Sequence, residues 1–316
     1  MKLITLQLSA AAILGLSVST FAQDAAPAPA APTEATAPDK QSALSEEEQK
    51  AAAIAEFKKA IESIGWTREG KVKVGKNAEL QLTSGLQFTD PKGAQKLLRM
   101  FGNIPSGREL GILAASGEAD LEWWAGFNFS DQGYVKDDEK DSIDADKLLE
   151  TMREDQKEDN KARVAQGLKP YKLTGWAVKP FYNEQSKSLE HGIKLADEDA
   201  GPDEESVNYS TMVLGRRGVM HVTLVCDPAK LEPSLAALRT ALKGFNYVSG
   251  ETYAEYQKGD KVSEYGLTAL IAGGSLAVAA KTGLLAKLWK PIAIGFIALL
   301  AGVKKIWGKI TGKGDA

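Results

Sequence analysis

The chain carries a single cysteine, Cys226, and only two histidines, His191 and His221, in 316 residues. One cysteine excludes an internal disulfide, so a chain exported to an oxidising space must be held by its core. A hydrophobic content of 43% is enough to build one. His191 alternates with Leu189, Ile193 and Leu195, whereas His221 is out of phase with Met220 and Val222. If both strands lie in one sheet with those apolar sides inward, the rings face opposite ways. A shared metal or an acid–base pair is then excluded. Cys226 falls on the apolar side of its strand and reads as a small buried hydrophobe. Gly107, Gly111 and Gly117 are too dispersed for a phosphate loop. No motif supplies a catalytic residue, a metal site or a cofactor. Nor does one sign of charge dominate, since 39 basic and 42 acidic residues leave −3. Acid crowds 137–160 and 197–205, while Lys281, Lys287, Lys290, Lys304, Lys305, Lys309 and Lys313 make the C-terminal end basic. A nucleic-acid binder would carry its basic patch on the folded domain, so no nucleic acid is expected as a partner.

What is present divides the chain into five stretches. Residues 1–22 have the form of an export signal: Lys2, an apolar run, then Thr20-Phe21-Ala22 at a small-residue cleavage point. Residues 23–43 are an Ala/Pro-rich linker. Residues 44–65 predict an amphipathic helix. Ser45 and Glu48 form a capping box, Ile54, Phe57, Ile61 and Ile64 recur at helical spacing, and Gly65 stops the run. Residues 66–259 form an extracytoplasmic α+β domain, and 260–316 a membrane anchor with a basic tail.

Within the domain, Val72, Val74, Leu80 and Leu82 alternate about a Lys76-Asn77 turn and predict a hairpin. Asp90-Pro91 opens a helix whose apolar side is Ala94, Leu97, Leu98 and Phe101. Residues 121–129 predict a strand with Leu121, Trp123, Ala125, Phe127 and Phe129 on one side. Residues 144–166 predict a long helix with almost no apolar stripe in its second half, a solvated arm. Two strands over 173–178 and 188–195 flank a turn at Pro180-Phe181-Tyr182-Asn183. Strands over 207–214 and 219–226 flank Gly215-Arg216-Arg217-Gly218. Folding there sets Val213 opposite Met220, Thr211 opposite Val222, Tyr209 opposite Leu224 and Val207 opposite Cys226. A second Asp-Pro opening, Asp227-Pro228, starts a helix striped by Leu231, Leu235, Leu238 and Leu242. The expected fold is α+β: an antiparallel sheet, covered on one face by packed amphipathic helices, plus a C-terminal transmembrane anchor.

The anchor has two uncharged runs, 266–280 and 291–303, and neither alone reaches the ~20 residues that span a bilayer. Extending the first over 265–285, with Lys281 snorkelling, supplies the length. Ala269, Gly273 and Ala277 make a small-residue row suited to helix approach, and Tyr265, Trp289 and Trp307 are placed like interface aromatics. The lysines favour one span and a second interfacial segment over a two-span hairpin. That puts the domain in the periplasm and the C-terminal tail in the cytoplasm of a bacterial inner-membrane protein.

Asp137, Asp138, Glu139, Asp141, Asp144 and Asp146 are the densest acidic cluster. Asp137, Glu139 and Asp141 have a calcium loop's opening spacing, but Ser142 and Leu148 stand where it needs glycine and glutamate. The alternative is a solvated loop whose Asp144 caps the next helix. Arg216 and Arg217 at a hairpin tip suit an acidic partner or lipid head group, or an ordinary solvated turn. Tyr134, Asp137, Asp138, Arg216 and Arg217 are therefore the candidate binding residues. The expected partners are membrane lipid and an envelope protein or a second copy meeting the anchor. The alternative is an envelope hydrolase whose site assembles from these same scattered acidic, Tyr and Arg side chains.

A set of short motifs resembles a bacterial family of membrane-anchored proteins, domain of unknown function 2167. They include Gly133-Tyr134-Val135-Lys136-Asp137, Ile143-Asp144-Ala145-Asp146-Lys147-Leu148-Leu149, Asn160 with Arg163, and Gly175-Trp176-Ala177 followed by Pro180. Asn208-Tyr209, Leu214-Gly215-Arg216, Phe245 with Tyr253, and Tyr265-Gly266-Leu267 followed by Gly273-Gly274 and Ala280-Lys281 continue it. The resemblance covers most of 66–305. It implies an envelope location and a C-terminal anchor, and no activity.

Overall fold

The computed structural model describes residues 46–116, 121–201 and 204–272. The signal, the linker, Ser45, Gly273, Ala277, Lys281, Trp289, Trp307 and the run 291–303 lie outside the described residues. Among those described, no helix is long and apolar enough to cross a membrane.

Helix α1 (Glu46–Glu62) leads into eleven strands. These are β1 (Trp66–Thr67), β2 (Lys71–Val74), β3 (Ala78–Gln81), β4 (Leu86–Thr89), β5 (Glu109–Ala115), β6 (Trp123–Ser130), β7 (Tyr171–Asn183), β8 (Ser188–Asp197), β9 (Glu205–Leu214), β10 (Val219–Cys226) and β11 (Phe245–Tyr247). Helix α2 (Pro91–Met100) follows β4, α3 (Ala145–Ala165) precedes β7, α4 (Leu231–Leu242) follows β10, and α5 (Leu267–Ile271) comes last. Eight strands form one antiparallel sheet in the order β1-β4-β5-β6-β10-β9-β8-β7, and β11-β3-β2 form a second.

The β9–β10 hairpin has the expected register, with Val213 on Met220, Thr211 on Val222, Tyr209 on Leu224 and Val207 on Cys226. That side of the large sheet packs with Phe127, Leu113, Phe88, the small sheet and Leu235 and Leu238 of α4. The opposite side is covered too, which the pattern did not predict. There Ile61, Ile64, Leu97, Leu98 and Phe101 from the α1 and α2 region meet Ile112, Ala114, Trp124 and Val225. Farther along, Leu189, Met212, Leu214 and Val219 meet Val135, Leu148 of α3 and Leu267, Leu270 and Ile271 of α5. Helix α1 is thus docked on its own domain. Asp90 caps α2 as expected, accepting from the Gly93 N–H at 2.9 Å.

Three expectations change. β7 runs straight through Pro180 to Asn183, and its turn falls at 184–187. It is an edge strand broken by three register shifts, where a residue without an N–H is tolerated. Leu121 precedes β6 and packs with the α1–α2 cluster rather than with Trp123 and Phe127. The third change concerns α3, which is no free arm. Its polar side chains satisfy the outer edge of β7, as a ninth strand would. Gln156 Oε1 accepts from Leu173 N at 3.0 Å, and its Nε2 donates to Tyr171 O. Asn160 donates to Tyr171 O at 2.7 Å and accepts from Tyr171 N at 3.0 Å. Arg153 donates to Leu173 O and Thr174 O at 3.1 and 2.8 Å, and Arg163 to Lys169 O at 2.9 Å.

Removing such a partner leaves a part-buried peptide group short. Gln156→Ala and Asn160→Ala should therefore each cost about 1–3 kcal/mol in chemical denaturation. Glu158→Ala, on the exposed side and paired only with Lys161, should stay within about 0.5 kcal/mol. Equal effects at all three positions would restore the solvated arm.

Candidate functional site

The sequence candidates converge on one end of the large sheet. Here β6 ends, the β9–β10 tip turns, and residues 131–143 and 248–266 cross each other. Tyr134 N donates to Lys261 O at 2.8 Å and Ser263 N to Tyr134 O at 2.8 Å, giving a parallel rung between Tyr134 and Val262. Gly133 makes this crossing possible. Its φ is +98°, and a Cβ there would lie 2.6 Å from Lys261 O. The same glycine's N–H bonds Arg217 O at 3.0 Å, so the tip belongs to the cluster.

Aromatic rings fill the crossing. Tyr134 stacks on Tyr253 with ring centres 4.5 Å apart, and Tyr256 lies tilted against it at 4.3 Å. The Tyr253 hydroxyl donates to Val135 O, and the Tyr182 hydroxyl donates to Asp137 at 3.0 Å. Burial, then the acceptor Asp137, raises the Tyr182 pKa, so this hydroxyl stays a donor at neutral pH. Lys187 completes the set, 3.8 Å from Asp137.

The two arginines are not equivalent. Arg216 Nε and Nη2 grip Asp260 at 2.7 and 2.9 Å, a two-pronged pair whose side chains are 11% and 17% exposed. The Arg216 guanidinium is the main cause that holds the Asp260 carboxyl at about 2. Arg217 pairs with the buried Glu251 but is itself 54% exposed. Asp138 is exposed. The acidic cluster is distributed over separate duties. Glu139 Oε2 accepts from Thr268 N at 3.2 Å in the first turn of α5, Asp144 caps α3, and Asp146 pairs with Lys179. Asp137, Glu139 and Asp141 therefore do not act as one ligand set.

The expected span changes at its start. Leu267, Ala269, Leu270, Ile271 and Ala272 are buried in the domain, so these residues of 265–285 are not available to lipid. Ala269 is likewise not open to another helix. The folded unit takes in residues 260–272, past the boundary at 259.

The histidine expectation also fails. His191 pairs with Ser210, and Ser210 with Thr223, which shares a side with His221, so both rings occupy the helix-covered face. The error was to treat the side of Leu189 as continuous with that of Val222. On this face Glu109, Asn128 and His221 form one cross-strand row. With Thr223 they line a cavity of about 20 Å³ under Leu98, space for about one water. Glu109 Oε2 and Asn128 Nδ2 are buried there without a partner among the described residues. Sequence reading missed this row because its members come from three strands with no local spacing signal. Cross-strand order alone would have shown it. Among the described residues no group of three or more His, Cys, Asp or Glu is placed to hold a metal.

An antiparallel sheet closed by helices on one face and by a small sheet and helix on the other defines an α+β domain. The chain belongs to the family described as Protein of unknown function (DUF2167), whose model matches residues 66–304. No curated protein matches it. Among solved structures it is similar to cyanobacterial PsbP (CyanoP) from Synechocystis sp. PCC 6803, at 13% identity and a TM-score of 0.34. That match covers 58% of this chain and 95% of the other. It is also similar to the Saccharomyces cerevisiae Ran-binding protein Mog1p, at 10% identity and a TM-score of 0.30, covering 59% and 97%.

Two outcomes follow from the site. Arg216→Ser should lower the thermal midpoint clearly more than Arg217→Ser, because only the first strands a carboxylate held on two prongs. A reversed order would make Arg216 dispensable. Burial holds both imidazoles near 4, against about 6.5 when free. The unfolded chain therefore binds more protons between those values, and stability should fall as pH drops from about 6.5 to about 4. Each histidine should contribute, since burial holds both near the same value. Denaturant melts across that range should show a shallower slope for His191→Gln, whatever its absolute stability.

Proposed function

We propose that the chain is a membrane-anchored envelope protein whose domain stands in the periplasm and binds a partner at the membrane surface, without catalysis of its own. One observation supports it above others. The tyrosine-rich end of the domain is built from the segment that leads directly into the apolar C-terminal run, so candidate binding residues and candidate anchor share one structural unit. The uncharged stretches 273–280 and 291–303, with Lys281, Lys304 and Lys305 beside them, supply the apolar length and the cytoplasmic charge. The export signal at 1–22 supplies the route. Binding is favoured over hydrolysis because Asp137 and Arg216, on which a scattered-residue active site would rest, are committed to Tyr182 and Asp260. Arg217, Asp138 and Tyr256 remain open at the same end for a partner.

A reporter active only in the periplasm should be active when inserted at Gly201, in the turn between β8 and β9, and silent when fused at Ala316. The chain should resist alkaline extraction from membranes. Activity at both points would replace the single crossing by two, and silence at both would place the domain in the cytoplasm.

A further inference from the structure

The end of the domain that carries Tyr134 and Tyr256 faces outward through one short, rigid segment, residues 256–262. Five large apolar or aromatic side chains are exposed among the described residues, and Tyr256 at 39% and Val262 at 36% are two of them. Lys258 and Lys261, also exposed, lie between them. The segment is fixed at several points. Asp260 is gripped by Arg216 and accepts from Gln257 N at 2.7 Å, Lys261 O and Ser263 N bond Tyr134, and the Tyr256 ring lies against Tyr134. An exposed tyrosine and valine on a pinned loop do not serve the core. Holding them out costs the apolar surface they leave in water.

Chain length decides what they meet. Ala272 is 6% exposed, and no charged residue separates it from the run that continues to Ala280. A run that enters lipid from there leaves no polar spacer on which the domain could stand away from the surface. Helix α5 spans only about 8 Å at the standard rise, so the exit at Ala272 stays near the crossing at Gly266. Aromatic side chains with lysines beside them suit the head-group layer, where the ring spans the polar boundary and the ammonium reaches phosphate.

We infer that residues 256–262 dock this end of the domain on the bilayer, with Tyr256 and Val262 in the head-group layer and Lys258 and Lys261 on lipid phosphates. This rests on the anchored reading above and names lipid as the occupant of that same end. The domain then does not swing on a tether. Its opposite end, with Glu198 just after β8, points away from the membrane.

The test uses the full chain in nanodiscs of phosphatidylcholine and phosphatidylglycerol, with a nitroxide at Val262→Cys, Lys258→Cys or the remote Glu198→Cys. Cys226 needs no replacement, being 5% exposed with its thiol pushed up to about 11 by burial. Collisions with oxygen, which concentrates in lipid, are compared with collisions with a water-soluble nickel complex. The oxygen-to-nickel ratio should be several-fold higher at 258 and 262 than at 198, and Lys258→Cys covers any weakening from loss of the valine. Ratios equal to that at 198, with the chain inserted, overturn the docking and leave the anchor standing. Failure of the chain to enter discs or native membranes overturns both. Shielding of 262 from both reagents in native membranes, but not in lipid discs, means a protein covers this end and overturns lipid as its occupant.

Discussion

An open sheet of eight strands leaves two rows of peptide groups facing outward, and both must find partners or be kept short. Most of this fold can be traced to that requirement. At one edge the chain uses a strand of only two residues, Trp66–Thr67, too short to template another chain. At the other edge β7 is thirteen residues long, and a helix stands in for the missing neighbour. Gln and Asn side chains are chemically peptide groups, so Gln156 and Asn160 complete the ladder with its own kind of bond. Arg153 and Arg163 take carbonyls that remain. A helix with an apolar stripe toward this edge would have buried those peptide groups unsatisfied.

With its edge closed, the sheet can be covered on both faces. The small sheet and α4 close one side, and α1, α2, α3 and α5 share the other. The division of the second side between two clusters matters. Beside them runs the polar row of Glu109, Asn128 and His221, where the packing leaves a small cavity. Gly111 bends β5 at this point, with φ +153° and a Cβ position only 2.1 Å from Phe88, so β5 lies too close to Phe88 for any side chain.

Local patterns in the sequence carried the β9–β10 register, the Asp-Pro helix starts and the inward set from Val207 to Cys226. Each of these is settled within about twenty residues by alternation or by a cap. What was not legible depended on order across the sheet. Leu189 and Val222 are both apolar, and nothing in their own strands says that they face opposite layers. The row linking Glu109 to His221 joins residues more than a hundred positions apart. The stripe of α3 was present at 153, 156, 160 and 163, a helical spacing, but written in amide and guanidinium groups where periodicity analysis looks for carbon. The short motif of Asn160 with Arg163 marks its second half. The apolar run from Gly266 was visible as apolar, yet composition does not distinguish core from lipid, and its first residues are core.

The buried start of that run has a mechanical consequence. A load applied to the chain beyond Ala272 does not first straighten a slack loop. It arrives at Leu267, Leu270 and Ile271 inside a packed cluster, and at the Tyr134–Val262 rung immediately upstream. The Arg216–Asp260 clasp stands behind both, joined to the tip of the central hairpin. Tension therefore passes into the middle of the sheet through β9 and β10. The α5 cluster is the first of these to meet the load, and its release would expose apolar surface on the domain.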